Sequence, residues 1–365
     1  MGRNREPFSL YVHIPYCISK CPYCDFNSHV VPVIPEARYV EALKRELEIY
    51  ANRGDWREKD LRSLFLGGGT PSTFSPESIK GILETAKSLF PFERECEITL
   101  EANPGTVDSR NFAGYRGAGV NRINIGAQSF QPHILKYLGR VHSADETREA
   151  LKIVHRSGFD NFNVDLIYAV PVQSPSDLQA DLAEALSFAP THLSAYNLTF
   201  EESTPFHREV LAGRIRSLTD ETEISMAELI EDTLCKAGLE RYEISNYARP
   251  GLHSNHNVNY WQGGDYLGIG AGAHSYRRVA EDGILGHRWH NEKNPARYME
   301  RVEGEGRAVA ENEMIDAGKA AGEFMFLGLR MTRGICTEEF SRRFGKSPGE
   351  LYPQIREWSE EGFME

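Results

Sequence analysis

The sequence predicts an α/β fold, a parallel sheet wrapped by outer helices and followed by a mostly helical appendage. The chain has 365 residues, too many for one small domain and about right for a barrel with an appendage. Hydrophobic residues make up 40% of it, enough for a sizeable core. Short apolar runs alternate with segments of i, i+3, i+4 apolar spacing, which is typical of repeated strand–helix units around a parallel sheet.

Six such units fill roughly the first 200 residues. The predicted strands are Ser9–Pro15, Ser63–Leu66, Cys96–Glu101, Arg122–Gly126, Asn161–Ile167 and His192–Leu198. Helical spacing between them is seen in Tyr39-Val40-Leu43-Leu47, Ile79-Ile82-Leu83-Ala86 and Leu178-Leu182-Leu186. Polar or glycine-rich residues follow the strands, and in barrels the chemistry lies at the carboxyl ends of the strands.

The pattern changes after about Glu201. A long helix is predicted at Asp220–Ala237, a seventh strand at Arg241–Ser245 and an ordered loop at His253–Gly272. After about Met314 the chain reads as helical again. It stops at Phe363-Met364-Glu365 without a closing element, so we expect a truncated final domain.

Three cysteines follow the first predicted strand. Cys17, Cys21 and Cys24 have the spacing C-x3-C-x2-C. Three thiolates can hold three irons of a [4Fe–4S] cube and leave the fourth iron open to a substrate or cofactor. A structural zinc site is the alternative, with His13 or His29 as the fourth ligand.

Charge and the remaining cysteines limit the possible functions. The net charge of −12 argues against nucleic acid as a partner. No apolar run approaches the roughly 18 residues that a bilayer-spanning helix needs. Cys96, Cys235 and Cys336 are scattered in apolar contexts and are predicted to be buried small hydrophobes. Without an export signal, a reducing cytoplasm and no disulfide framework are expected.

The second predicted strand is followed by Gly67-Gly68-Gly69-Thr70-Pro71. Three glycines let backbone N–H and C=O groups approach a small polar group closely, such as the amine of a ligand on the open iron. An ordinary strand-to-helix turn is equally compatible, with Thr70 as the cap and Pro71 at the first helical position.

Polar residues at other strand ends could hold ribose hydroxyls and a carboxylate. These candidates are Glu101, Gln128, Arg140 and Asp165, and a surface or capping role is open for each. The Arg140 guanidinium would match a ligand carboxylate bidentately. Tyr23, just before the third cysteine, could stack on a purine or cover the cluster from water.

A histidine-led aromatic run, His256-Asn257-Val-Asn-Tyr260-Trp261, lies in the predicted loop. Flat apolar side chains and an imidazole suit a planar macrocycle with a central iron. A satisfied loop histidine beside two core aromatics is the plainer interpretation, and zinc binding with His253 is a further alternative.

Several motifs together resemble the radical S-adenosylmethionine superfamily. They are Tyr11-x-His13-Ile-Pro15, Cys17-x3-Cys21-Pro-Tyr-Cys24, Gly-Gly-Gly-Thr-Pro, Glu101-x-Asn-Pro104 and Gln128-Ser129-Phe130. Within it, His256-Asn-x-x-Tyr-Trp261 and Gly272-Ala-His274 are similar to the HemW-type heme chaperones, relatives of oxygen-independent coproporphyrinogen III oxidase.

The resemblance implies a partial (β/α)6 barrel with a [4Fe–4S] cluster on Cys17, Cys21 and Cys24. The open iron would bind the amine and carboxylate of S-adenosylmethionine, and an electron would cleave the sulfonium to a 5′-deoxyadenosyl radical. By the resemblance, the cofactor contacts are Tyr11, Tyr23, Gly68, Gly69, Thr70, Glu101, Gln128, Arg140 and Asp165.

The sequence departs from the oxidase pattern at Phe26, where the oxidase has a fourth cysteine. This residue is typical of the HemW branch and argues against decarboxylation of coproporphyrinogen in porphyrin biosynthesis, which remains the alternative function. The HemW resemblance implies heme binding, with His256 as the candidate contact, and heme delivery to acceptor proteins, respiratory ones at the membrane included. A flavodoxin or ferredoxin would supply electrons.

By the same resemblance, three domains are expected. Residues 1–200 would form the radical S-adenosylmethionine barrel, residues 201–312 a barrel extension with a heme-associated loop region, and residues 313–365 the small helical domain. A radical enzyme acting on RNA is disfavoured, because the chain is acidic and lacks an aromatic–basic patch.

Overall fold

The computed structural model describes residues 5–281 and 283–363. Within these ranges the strands are β1 (Pro7–Ile14), β2 (Asp60–Gly68), β3 (Phe92–Ala102), β4 (Arg122–Gln128), β5 (Phe162–Tyr168), β6 (His192–Asn197), β7 (Glu240–Arg241), β8 (Asn246–Ala248), β9 (Asp265–Ile269), β10 (His274–Glu281), β11 (Ile284–Asn291) and β12 (Val309–Asp316). The helices are α1 (Glu36–Asn52), α2 (Pro76–Leu89), α3 (Ser109–Ala118), α4 (Pro132–Tyr137), α5 (Ala144–Arg156), α6 (Pro175–Ser187), α7 (Pro205–Leu211), α8 (Asp220–Lys236), α9 (Asn255–Trp261), α10 (Pro295–Glu305), α11 (Ala317–Gly328), α12 (Thr337–Phe344), α13 (Pro348–Leu351) and α14 (Ile355–Glu360).

All these strands form one sheet, in the order β12-β11-β10-β9-β1-β2-β3-β4-β5-β6-β8-β7. Strands β1 to β6 pair in parallel, and β9 pairs in parallel with the outer edge of β1. The strands beyond β9 and β6 are antiparallel. The predicted α/β fold is confirmed, because six successive βα units form a partial barrel.

Alternation along each barrel strand separates a core from a lumen, the concave space that β1 to β6 enclose. On β1, the outward side chains Phe8, Leu10 and Val12 are completely buried among core residues. Ser9 and Tyr11 alternate with them and belong to the lumen face, where Ser9 Oγ lies 2.7 Å from Ser63 Oγ. Polar groups are therefore concentrated inside the barrel, where a ligand would be bound.

The helices around the sheet begin at residues that satisfy their first N–H groups. Ser75 caps α2, and Ser143 and Ser174 form capping boxes at α5 and α6. The predicted long helix at Asp220–Ala237 is α8, one residue shorter at its carboxyl end.

Two predictions in the middle of the chain are wrong. The strand predicted at Arg241–Ser245 is replaced by the short strands β7 and β8, because Glu243 turns inward and its Oε1 accepts the N–H of Ser245 at 3.0 Å. The predicted loop at His253–Gly272 contains α9 and β9, since Ser254 caps a helix and Asp265 begins a strand beside β1.

The β10–β12 meander was not predicted. Strand β12 has only one buried residue, Ile315, and its remaining residues carry no apolar alternation that would reveal a strand. The predicted return to helix after Met314 is confirmed from Ala317 onward. The division at residues 200 and 312 stays a prediction, and β12 runs across the second boundary. Met364 and Glu365, part of the predicted truncated end, lie outside the described residues.

Helix α9 closes the barrel at the amino ends of its strands. The Glu97 carboxylate on β3 accepts the backbone N–H groups of Asn255 and His256 at 3.0 and 3.2 Å. The His256 ring stacks on Phe65 of β2, with 5.0 Å between ring centroids. Among the helices of residues 5–281 and 283–363, none has both the length and the apolar character that crossing a bilayer requires.

Candidate functional site

The cysteine loop begins where β1 ends and is closed at its neck by backbone hydrogen bonds. The Cys17 N–H donates to the His29 carbonyl at 3.0 Å, and the His29 N–H donates to the Pro15 carbonyl at 2.7 Å. Within the loop, the Cys24 N–H donates to the Cys21 carbonyl at 3.1 Å. All three cysteines are half-buried free thiols. The fold therefore presents them at the carboxyl end of the barrel.

Two predicted site residues donate to the sulfur atoms. Thr70 Oγ1 lies 3.5 Å from Cys17 Sγ, and Arg140 Nη1 lies 3.4 Å from Cys21 Sγ. Burial raises the pKa of the Cys17 and Cys24 thiols. A metal cluster would hold them as thiolates, and hydrogen bonds to the sulfurs tune such a cluster.

The two candidate histidine ligands for zinc are turned to other partners. The ring nitrogens of His13 lie 2.9 Å from Tyr11 Oη and 2.9 Å from the Asn27 carbonyl. His29 Nε2 lies 3.2 Å from Asn27 Oδ1. Across residues 5–281 and 283–363, no three His, Cys, Asp or Glu side chains converge as on a single metal ion. Because both histidines are hydrogen-bonded to other groups, the loop offers three thiols as donors, which suits a multi-iron cluster better than Cys3His zinc.

The glycine motif packs its backbone directly against the start of the cysteine loop. The N–H groups of Gly69 and Thr70 donate to the carbonyls of Ile14 and Tyr16, both at 2.8 Å. A Cβ at Gly69 would lie 2.6 Å from the Tyr16 carbonyl oxygen, so only glycine permits this approach. Thr70 makes no side-chain cap bond to the turn that follows. Its hydroxyl is directed at Cys17 instead.

Arg140 connects the cysteine loop with the carboxyl end of β4. Its Nη1 lies 3.4 Å from Tyr23 Oη, and its Nη2 donates to the Gly126 carbonyl at 3.1 Å. Arg140 Nε is buried without a hydrogen-bond partner among the described residues. An unsatisfied guanidinium N–H beside the cysteines fits a ligand carboxylate.

Gln128 ends β4 in a left-handed backbone conformation, with φ of 68°. Such a conformation costs a non-glycine residue on the order of 1–2 kcal/mol and is found preferentially at functional sites. In this conformation the side-chain amide of Gln128 lies close to Gly126 and Arg140.

Glu101 and Asp165 lie together in the lumen. Glu101 Oε2 accepts the Gly68 N–H at 3.1 Å. Burial, and then the neighbouring Asp165 carboxylate, raise the pKa of Glu101 to about 7. Burial also raises the pKa of Asp165. Both carboxyl groups therefore hold a proton more readily than exposed ones, and each can bind a ligand hydroxyl.

Sequence reasoning missed a second layer of lumen residues. Asn124 Nδ2 and Asn163 Nδ2 donate to the Asp165 carboxylate at 2.9 and 2.7 Å. Tyr196 follows on the same face of β6, and 40% of it is reached by solvent. The sequence signal for these residues is a polar side chain at every second position of a strand, as in Asn163-x-Asp165 and Ser194-x-Tyr196.

His256 is not part of this site. It lies at the opposite end of the barrel, 1% exposed, with Nδ1 at 3.0 Å from Ser63 Oγ and Nε2 at 2.9 Å from Tyr260 Oη. Burial lowers its pKa to about 3, so the ring is neutral. As a heme contact His256 stays a prediction, and in this conformation it offers no free nitrogen to an iron.

The remaining predicted residues converge. Hydrogen bonds link Cys17 to Thr70, Cys21 to Arg140 and Gly68 to Glu101, and Tyr23 packs on Phe206 with 6.4 Å between ring centroids. Tyr11 stands between His13 and His256, with ring centroids 5.7 and 6.2 Å away. Two further cysteine predictions are wrong: Cys96 is buried, but Cys235 and Cys336 are exposed.

Comparisons with known proteins identify the family of the chain. The sequence model of the Radical SAM superfamily matches residues 11–185, and that of the HemN C-terminal domain matches residues 316–365. The heme chaperone HemW of Escherichia coli K12 is 37% identical over 98% of this chain and 92% of that protein. HemW of Haemophilus influenzae is 39% identical over 96% of this chain and 89% of that protein. HemW of Bacillus subtilis is 33% identical over 98% of this chain and 92% of that protein.

A solved structure supports the fold. Coproporphyrinogen III oxidase (HemN) from Escherichia coli superposes with a TM-score of 0.80 over 97% of this chain and 84% of its own, at 21% identity. This likeness concerns the fold alone. With identities of 33–39% to relatives over nearly its whole length, the chain belongs to the HemW family within the radical SAM superfamily.

Proposed function

We propose that this protein binds heme together with a [4Fe–4S] cluster and S-adenosylmethionine, and transfers the heme to acceptor proteins. The loop of three cysteines carries the proposal. Phe26, two residues after Cys24, is 60% exposed and supplies no fourth ligand. Heme enters the proposal from the relatives, which are named heme chaperones.

Cys17, Cys21 and Cys24 would hold the cluster. When bound, it supplies an electron to the sulfonium of S-adenosylmethionine. Arg140 would bind the carboxylate of S-adenosylmethionine through its unpaired Nε, and Tyr23 would cover its purine. Gly68, Gly69 and Thr70 would line the amine.

The lumen residues would complete the cofactor pocket. Glu101, Asp165 and Gln128 would bind the ribose hydroxyls, because carboxylate and amide oxygens accept hydrogen bonds from them. Tyr11 would form the floor below them. Exclusion of water by the surrounding barrel would strengthen each of these hydrogen bonds.

The partners belong to the same proposal. The acceptors would be heme-binding proteins, respiratory ones at the membrane surface included, and a flavodoxin or ferredoxin would donate the electron. Free thiols at all six cysteines suit the reducing cytoplasm as the place of action. Oxidation of coproporphyrinogen III is the alternative, and Phe26 in place of the oxidase cysteine argues against it.

An anaerobic heme titration tests the proposal. Reconstituted protein should bind about one heme per chain with a Soret band, and incubation with coproporphyrinogen III, S-adenosylmethionine and a reductant should give no protoporphyrinogen. The Cys21→Ser variant should lose the cluster absorbance but keep its circular dichroism, because the barrel core does not depend on the loop. Cys235→Ser, at an exposed cysteine on α8, is the matched control and should keep the cluster.

Two outcomes would contradict the proposal. Absence of saturable heme binding in cluster-loaded protein would remove the chaperone function. Formation of protoporphyrinogen would establish the oxidase instead.

A further inference from the structure

A cavity of about 590 Å³ lies under the barrel, at the end of the strands opposite the cysteine loop. Its walls are the amino ends of β1 and β2, the carboxyl end of α9 and the segment that joins α11 to α12. Sites for small molecules and cofactors typically measure about 300–1,000 Å³, so the cavity has ligand size. A smaller pocket of about 50 Å³ adjoins it and shares Gly264 and Phe324 with it.

The apolar part of the large cavity includes two aromatic side chains. Trp261 and Phe324 line it together with Met331 and Ile335. The Arg330 guanidinium lies 4.2 Å from the centre of the Trp261 ring. Aromatic and aliphatic walls of this kind suit a planar hydrophobic ligand.

The polar part carries positive charge without counter-ions. Neither Arg333, at the rim of the cavity, nor Arg343, in the small pocket, has a carboxylate oxygen of a described residue within 4.0 Å. Arg343 Nη1 and Trp261 Nε1 are buried and have no hydrogen-bond partner in the described parts of the chain. A desolvated guanidinium without a counter-ion is costly, and an anionic ligand group would offset that cost.

Two of the three acidic residues that line the pockets are held in close ion pairs. In the large cavity, Glu6 accepts from Lys59 Nζ at 2.9 Å and lies 3.5 Å from Arg278. In the small pocket, Glu323 binds Arg288 at 2.5 Å. The third, Glu339 of the large cavity, lies 4.0 Å from Arg342 and makes no ion pair with Arg333 or Arg343. Both of these arginines therefore lack a direct counter-ion among the described residues, and the small pocket offers room for a carboxylate beside Arg343.

We infer that this cavity is the heme site: the ring lies between Trp261 and Phe324, and a propionate enters the small pocket toward Arg343. The inference rests on the proposed function and names the place where heme is held. It separates heme from the cluster by the length of the barrel strands, and it assigns binding to Arg343, Arg333 and Trp261 rather than to the buried ring of His256.

Titration with three porphyrins tests the inference. Hemin and iron-free protoporphyrin IX should both bind full-length protein, and hemin dimethyl ester, which lacks free carboxylates, should bind at least about tenfold more weakly. Arg343→Gln should weaken hemin about tenfold or more and leave the ester unchanged. Lys346→Gln is the matched control, because this exposed cation three residues further along lies outside both pockets.

Arg333→Glu, at an exposed position, tests the same charge without the risk of disturbing the core. Circular dichroism melts should show that each variant is folded. Equal hemin affinity of wild type, Arg343→Gln and Arg333→Glu would overturn the cavity assignment while the proposed function stands. If wild type bound neither hemin nor protoporphyrin IX, both would be overturned. If wild type bound protoporphyrin IX but not hemin, and Arg343→Gln weakened that binding, the cavity would be supported as a porphyrin site and the chaperone function would be contradicted.

Discussion

At the scale of single residues, His256 shows how one motif supports two different roles. From the sequence, an imidazole followed by Tyr260 and Trp261 suits a macrocycle. In the structure, the His256 ring is hydrogen-bonded to Ser63 of β2, whereas Tyr260 lines the small pocket and Trp261 the large cavity. The helical spacing separates His256 from Trp261, because residues five apart lie on different sides of a helix.

We predict that His256→Ala acts on stability rather than on heme ligation. Loss of the hydrogen bonds to Ser63 and Tyr260, with a cavity left beside Phe65, should lower the free energy of unfolding by about 2–4 kcal/mol. Urea unfolding would measure the loss, and the folded variant should keep its heme stoichiometry. Unchanged stability with a lost or shifted Soret band would instead support His256 as the iron ligand.

Site residues that lie in short sequence motifs could be predicted from the sequence. The cysteines and the glycine motif are local, and their chemistry is read from spacing. The Arg140–Cys21 contact joins residues 119 positions apart, and spacing alone does not reveal it. The unpaired state of Arg343 is likewise a property of packing and has no local signal.

At the scale of elements, the six βα units were predictable because each strand has its own apolar run. Helix α9 was not, since its first turn is stabilised from another element: the Glu97 carboxylate of β3 receives its N–H groups. A helix of seven residues has little stability of its own, so tertiary contacts decide its existence.

Replacing Glu97 by Gln should loosen α9. The amide has one acceptor oxygen in place of two and presents N–H groups to the helix, at a cost of about 1–2 kcal/mol. Hydrogen exchange should accelerate at the amides of Asn255 and His256 and remain unchanged in β4. Glu95→Gln, at an exposed position of the same strand, is the control. Equal protection in both variants would show that α9 is held by its side chains alone.

At the scale of the whole molecule, a buried carboxylate joins the barrel to the part of the chain that follows it. Glu46 on α1 is 1% exposed and accepts hydrogen bonds from Tyr298 Oη at 2.7 Å, Gly270 N at 2.9 Å and Asn291 Nδ2 at 2.8 Å. These donors belong to α10, to the turn after β9 and to β11. Burial raises the pKa of Glu46 to about 7.

This pKa gives stability a defined pH dependence. Below the ordinary value of 4.5, Glu46 is protonated in both the folded and the unfolded chain. Between pH 4.5 and about 7 the unfolded chain releases the proton and the folded chain keeps it, so its contribution to stability falls as pH rises and then levels off. Glu46→Gln should remove this decline, on the order of 1–3 kcal/mol. Urea unfolding of wild type and Glu46→Gln at pH 5 and pH 8 measures this decline. The same loss of unfolding free energy between the two pH values in both proteins would contradict the prediction.

Asn27 shows that the cysteine loop is not autonomous. Its Nδ2 donates to the carbonyls of Ala271 and Lys293, both at 2.9 Å, and Gly272 leaves just enough space for it. A minimal barrel cut after residue 200 would retain the three loop cysteines and the glycine motif but lose both acceptors. Transfer of the cysteine motif to another scaffold would therefore also require backbone acceptors for the Asn27 side chain.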